Sequence, residues 1–169
     1  MVVLFIVLLV VLGVHPYRIP SSAMEPTLHC AKPAPGCEGS SQDRILALTR
    51  LGWGRGDVVV FHTPPAALER CGASGVFVKR VIGLPGETVR EADGTVFVDG
   101  KPLEEPYIGA DRRDHDPGRS WHVPAGAYFV LGDNRSQSCD SRVWGSVPKG
   151  NIVGKVALRY WPPGRIGAP

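Results

Sequence analysis

The chain has 169 residues, 43% hydrophobic and 21% charged, with a net charge of +3 at pH 7. That length supports one domain with a real core, and charges of both signs without a basic block argue against nucleic acid as a partner. The 21 glycines and 16 prolines imply many turns and few long helices.

The first fourteen residues, MVVLFIVLLVVLGV, carry no charge. Such a run reads three ways: a removed secretion signal, a buried core element or a membrane anchor. A removed signal calls for a basic start and a small-residue cleavage site, whereas this run meets His15-Pro16-Tyr17-Arg18. Residues 1–15 are therefore expected to form a membrane anchor and residues 16–169 a β-rich domain. A helical crossing of about 20 residues would have to recruit His15–Pro20 or residues upstream. No Lys or Arg precedes the run, so flanking charge does not orient it.

Short β-like runs follow, separated by breakers. They are Arg44–Leu48, Asp57–His62, Gly75–Gly83, Thr95–Gly100, Ala127–Gly132 and Asn151–Trp161. β-Branched and aromatic residues dominate them, and Asp99-Gly100 is a hairpin signal. No stretch holds a 3.6-residue apolar period over three turns. The expected fold class is mainly β: small antiparallel sheets or a partly closed barrel. Ala31–Asp43 and the charged stretch Asp111–Arg119 read as solvated loops.

Four cysteines stand at positions 30, 37, 71 and 139, without the close pairs that zinc usually takes. They allow three disulfide pairings. Cys30–Cys37 with Cys71–Cys139 closes the most local loop and is favoured for a domain outside the cytoplasm. Four reduced thiols are the alternative.

The five histidines are scattered, and zinc-protease and P-loop spacings are absent. Lysine is more informative. Of Lys32, Lys79, Lys101, Lys149 and Lys155, Lys79 alone lies inside a strongly apolar run, sharing a strand face with Phe77 and Val81. An ammonium among apolar neighbours loses hydration, so its pKa falls and the neutral amine can take a proton from a hydroxyl. The bland alternative is an edge-strand lysine that reaches out to water.

Three ordered segments, "IPSSAMEPTL", "FVKRVIGLPGE" and "GDNRSQSCDSRVWG", together resemble the type I signal peptidases, membrane-bound Ser/Lys endopeptidases. Weaker likenesses, "GDVVVF", "VFVDGKPLEEPYI" and "YFVLGDNR", extend the resemblance from Tyr17 to about Trp161. The resemblance implies a β-rich catalytic domain tethered to the cell membrane on its extracytoplasmic side. Signal peptides of exported pre-proteins would be its substrates, with neither metal nor organic cofactor. It assigns the nucleophile to the residue before Met24, which here is Ala23, and the general base to Lys79 of the Lys79-Arg80 pair. Ser21 would assist the oxyanion, Ser138 would orient the lysine, and Asp140 with Arg142 would form a supporting ion pair. Gly132, Asp133, Asn134 and Arg135 match the opening of the third motif.

With Ala at position 23, neither neighbouring serine is expected to substitute. In an extended segment Ser22 points to the opposite face, and Ser21 is displaced by roughly 6.5 Å, two strand steps. The expectation is a peptidase altered at one position. A natural pseudopeptidase that captures export substrates without cutting them is the alternative, and a secreted disulfide-stapled module is a further rival.

Overall fold

The computed structural model describes residues 13–115 and 117–169. The apolar segment 1–12 lies outside the described residues, and among the described residues no helix is long and apolar enough to cross a membrane. The expected boundary at residue 15 falls inside a strand, β1 (Val14–Arg18), so His15 to Arg18 belong to a sheet.

Ten further strands follow: β2 (Arg44–Leu48), β3 (Val58–His62), β4 (Val76–Gly83), β5 (Thr88–Ala92), β6 (Thr95–Val98), β7 (Lys101–Pro102), β8 (Arg119–His122), β9 (Ala127–Leu131), β10 (Val147–Pro148) and β11 (Ile152–Trp161). They form a seven-stranded sheet in the order β1-β2-β11-β3-β4-β9-β10 and a four-stranded sheet in the order β7-β6-β5-β8. Each neighbouring pair of strands is antiparallel. The sheets are open, ending at β1 and β10 in one and at β7 and β8 in the other, so the described strands do not close into a barrel.

All six runs read from the sequence are strands, with ends moved by a residue or two. Asp99-Gly100 is the β6–β7 turn, with both residues at positive φ (48° and 78°), as such a two-residue turn demands. Asp93-Gly94, at φ 48° and 73°, does the same between β5 and β6. β5 and β8 escape the sequence reading because they are rich in charged and polar residues; β8 begins where a solvated loop was expected to end. Helix α1 (Pro65–Cys71) is too short for three turns of periodicity, opening on Pro65 and closing on Gly72 at φ 67°.

Three apolar clusters hold the sheets. One joins Ile19, Met24 and Leu28 to β2 and β3; another packs Phe61, Val81 and Trp144; a third unites Ile82, Phe129 and Leu131 of the large sheet with Val89 and Val96 of the small one. Fully burying a side chain such as Phe61 or Phe129 contributes about 1.5–3 kcal/mol. Both disulfides of the local pairing are formed, Cys30–Cys37 and Cys71–Cys139.

β4 decides the environment of the candidate site. It lies between β3 and β9, with Val59 opposite Lys79 and Leu131 opposite Arg80. Lys79 is thus on an interior strand, which removes the edge-strand reading.

Candidate active site

Position 23 is set by its flanks. Met24 and Leu28 bury their side chains in the first cluster, and between them the chain turns tightly, the Leu28 N–H donating to the Met24 carbonyl at 2.9 Å. Glu25 is buried and accepts backbone N–H groups from Cys30 and Glu38 at 3.0 Å each, with the His29 ring as a third partner. A buried carboxylate is tolerable when its lone pairs are filled in this way. Behind the turn, Arg165 donates to the Thr27 carbonyl at 3.1 Å and to His29 Nε2 at 2.5 Å, and Arg159 reaches the same Thr27 carbonyl at 2.8 Å.

Ser22–Met24 is one turn of 3-10 helix entered from extended Ser21. This corrects the extended segment assumed from the sequence, and with it the two-step displacement expected for Ser21. Ser22 is still engaged elsewhere: its Oγ donates to Gln137 Oε1 at 3.1 Å.

Ala23 and Lys79 line one cavity of about 340 Å³, walled also by Ser21, Met24, Phe77 and Cys139. Ala23 is 8% exposed and Lys79 is 4% exposed. Burial pushes the Lys79 ammonium down to a pKa of about 8; Asp140 and Asp133 oppose that shift and Arg142 assists it. Lys79 Nζ stands 5.8 Å from the centre of the Phe77 ring. Such an amine is partly neutral near pH 7 and can accept a proton from a hydroxyl presented in the cavity.

The third motif grips this cavity from behind. Asn134 donates its backbone N–H to the Ala23 carbonyl and its side-chain amide to the Ser22 carbonyl, each at 3.1 Å. Gly132 permits the approach: a Cβ there would come within 2.2 Å of Ser138 Oγ and 2.4 Å of the Ala23 carbonyl oxygen. Ser138 Oγ is buried and makes no hydrogen bond among the described residues. Asp140 and Arg142 form a bidentate pair at 2.9 and 3.0 Å, and Asp140 also accepts the Gly132 N–H at 3.1 Å. Asp133 is held by Arg80 at 2.9 and 2.5 Å and by the Thr27 hydroxyl at 2.5 Å. Arg135 donates to the Gly132 carbonyl at 3.0 Å and pairs with buried Glu105.

The residues singled out in the sequence are therefore gathered around one cavity or directly behind it. Sequence reasoning gave no supporting role to Arg80, Thr27, Glu105, Glu91, Asp114 or Gln137. Arg80 had a usable signal, since a residue next to Lys79 on a strand faces the other way. Glu91 and Asp114, which meet Arg142 Nη1 at 3.3 and 3.0 Å, had none.

The family profile described as "Signal peptidase, peptidase S26" matches residues 1–161. The chain belongs to the signal peptidase family. Among its relatives, signal peptidase I of Leptolyngbya laminosa is 42% identical over 159 residues, covering 88% of this chain and 70% of that one. Probable signal peptidase I-1 of Synechocystis is 39% identical, covering 90% and 74%. Thylakoidal processing peptidase 1 of Arabidopsis thaliana is 36% identical, covering 90% of this chain and 43% of its own length. The crystal structure of a signal peptidase I from Enterococcus faecalis superposes with a TM-score of 0.51 at 32% identity, covering 62% of this chain and 97% of that one. The signal peptidase family thus accounts for the mainly β architecture as well as for the motifs.

Proposed function

We propose that this chain is the frame of a membrane-bound signal peptidase I, a serine endopeptidase, in which Ala23 replaces the nucleophile. As it stands, it binds signal-peptide substrates without cleaving them. The observation that carries the reading is the shared cavity of Ala23 and Lys79, with the amine buried and its pKa lowered to about 8.

With serine at position 23, Lys79 accepts the hydroxyl proton as the oxygen attacks the peptide carbonyl. The position-23 N–H and the Ser21 hydroxyl receive the developing negative charge. The proton passes to the leaving amine, an ester forms on the serine, and water deprotonated by Lys79 releases the acyl half. Ser138 and the Asp140–Arg142 pair hold the lysine side of the cavity in place. The apolar walls suit small side chains at the first and third positions before the cut. Two disulfides suit an oxidising, extracytoplasmic location, with the apolar segment 1–12 as the attachment to the lipid membrane.

The test is Ala23→Ser. Cleavage of an Ala-x-Ala signal substrate is expected to rise by at least roughly 10⁴-fold, and a second change, Lys79→Ala, is expected to abolish it. A folded Ala23→Ser protein that stays inert while still binding signal peptides would instead favour a natural capture module.

A further inference from the structure

Two loops that look like plain surface in the sequence meet beside position 23. Arg112 pairs with Glu38 and, at 3.2 Å, with Asp111. Within the loop closed by Cys30–Cys37, Gly36 sits so close to the site that a Cβ would come within 2.1 Å of Gln137 Oε1 and 2.8 Å of Ser22 Oγ. Gly36, Glu38, Asp111, Arg112, Asn134 and Gln137 line a polar cleft of about 350 Å³. This cleft shares a wall residue, Gln137, with the cavity of Ala23 and Lys79.

We propose that this cleft receives the polypeptide on the amine side of the bond to be cut, the first residues of the mature protein, and prefers basic over acidic side chains there. The inference rests on the function proposed above. A peptide bond held at position 23 needs room for chain on both sides. The apolar cavity takes the acyl half with its small side chains. The leaving half must depart past Ser22, whose hydroxyl already points to Gln137 on the cleft side. The polar lining suits a segment that ends as the solvated terminus of the product.

The sign of the preference comes from the charges. Glu38 and Asp111 place two carboxylates against the single guanidinium of Arg112, and the Asp111 side chain is 77% exposed while that of Arg112 is 19% exposed. The surplus negative charge faces the solvent. It also favours the ammonium that the newly released amine becomes.

The experiment uses the Ala23 chain itself with three labelled peptides. One ends at Ala-x-Ala; the other two continue for four residues, with Lys-Lys or Asp-Asp just after the cleavage position. The Lys-Lys peptide is expected to bind about fivefold more tightly than the Asp-Asp peptide. Asp111→Lys is expected to cancel or invert that ratio, whereas Glu69→Lys on exposed α1 leaves it in place. Equal affinity of all three peptides would overturn this inference alone, as would an equal response to both substitutions. No binding by any of them would overturn the proposed function, and this inference with it.

Discussion

The backbone N–H of Asn134 donates to the carbonyl oxygen of Ala23 at 3.1 Å, and its side-chain amide holds the Ser22 carbonyl at the same distance. The clasp grips main chain and is blind to the side chain at position 23. The Ser22 carbonyl also accepts the Glu25 N–H at 3.0 Å, so Asn134→Ala leaves no orphaned acceptor. That variant is expected to lose about 0.5–1.5 kcal/mol in urea unfolding. In the Ala23→Ser background it is expected to lower kcat more than it raises KM.

Lys79 makes stability depend on pH in a predictable direction. Its folded pKa of about 8 lies below the ordinary value of 10.5. Between those values the unfolded chain binds a proton that the folded chain does not, so stability rises with pH from about 8 to 10.5 and falls as pH drops through 8. Lys79→Met removes this dependence. Denaturation across that window is expected to show the parent gaining about 3 kcal/mol relative to the variant. In Ala23→Ser, the same group predicts kcat/KM rising with pH and levelling off above about 8.

Asp140 couples stability to that titration. It pairs with Arg142 in bidentate fashion and raises the pKa of Lys79. Asp140→Asn leaves Arg142 its contacts with Glu91 and Asp114. Because those carboxylates still compensate the guanidinium, the expected cost stays below the roughly 3–5 kcal/mol that a buried charge stripped of every partner would incur. In the Ala23→Ser background the midpoint of the pH–rate curve is expected to move to lower pH, a shift that a merely structural role for Asp140 would not produce.

Gly132 is the point at which the third motif approaches position 23. Gly132→Ala places a methyl group against both Ser138 Oγ and the Ala23 carbonyl, inside 2.5 Å of each. A lower melting temperature is expected, equivalent to at least about 1–3 kcal/mol. Signal-peptide binding should weaken with it. An unchanged thermal transition would show that the turn can yield without cost.

How far the chain could be read in advance follows from which interactions are local. Lys79 was legible because it is the one lysine of the chain set inside an apolar run, "GVFVKRVIG", and the interior position of β4 supplied the burial that the pattern implied. Asp99-Gly100 was legible because its turn is encoded by its own two residues. The 3-10 turn at Ser22–Met24 was not, since it depends on Met24 and Leu28 reaching a distant core and on Asn134 holding it from another segment. The acids Glu91, Glu105 and Asp114 look like ordinary surface charges until the fold delivers Arg135 and Arg142 to them.

The Cys71–Cys139 bridge joins residues 68 apart, and the exposed stretch around Asp111 lies between them. A single proteolytic nick in that stretch would leave two pieces covalently tied, each carrying one half of the lysine's surroundings. On an ordinary gel such a molecule would migrate as an intact chain, and only after treatment with a thiol would it separate into fragments.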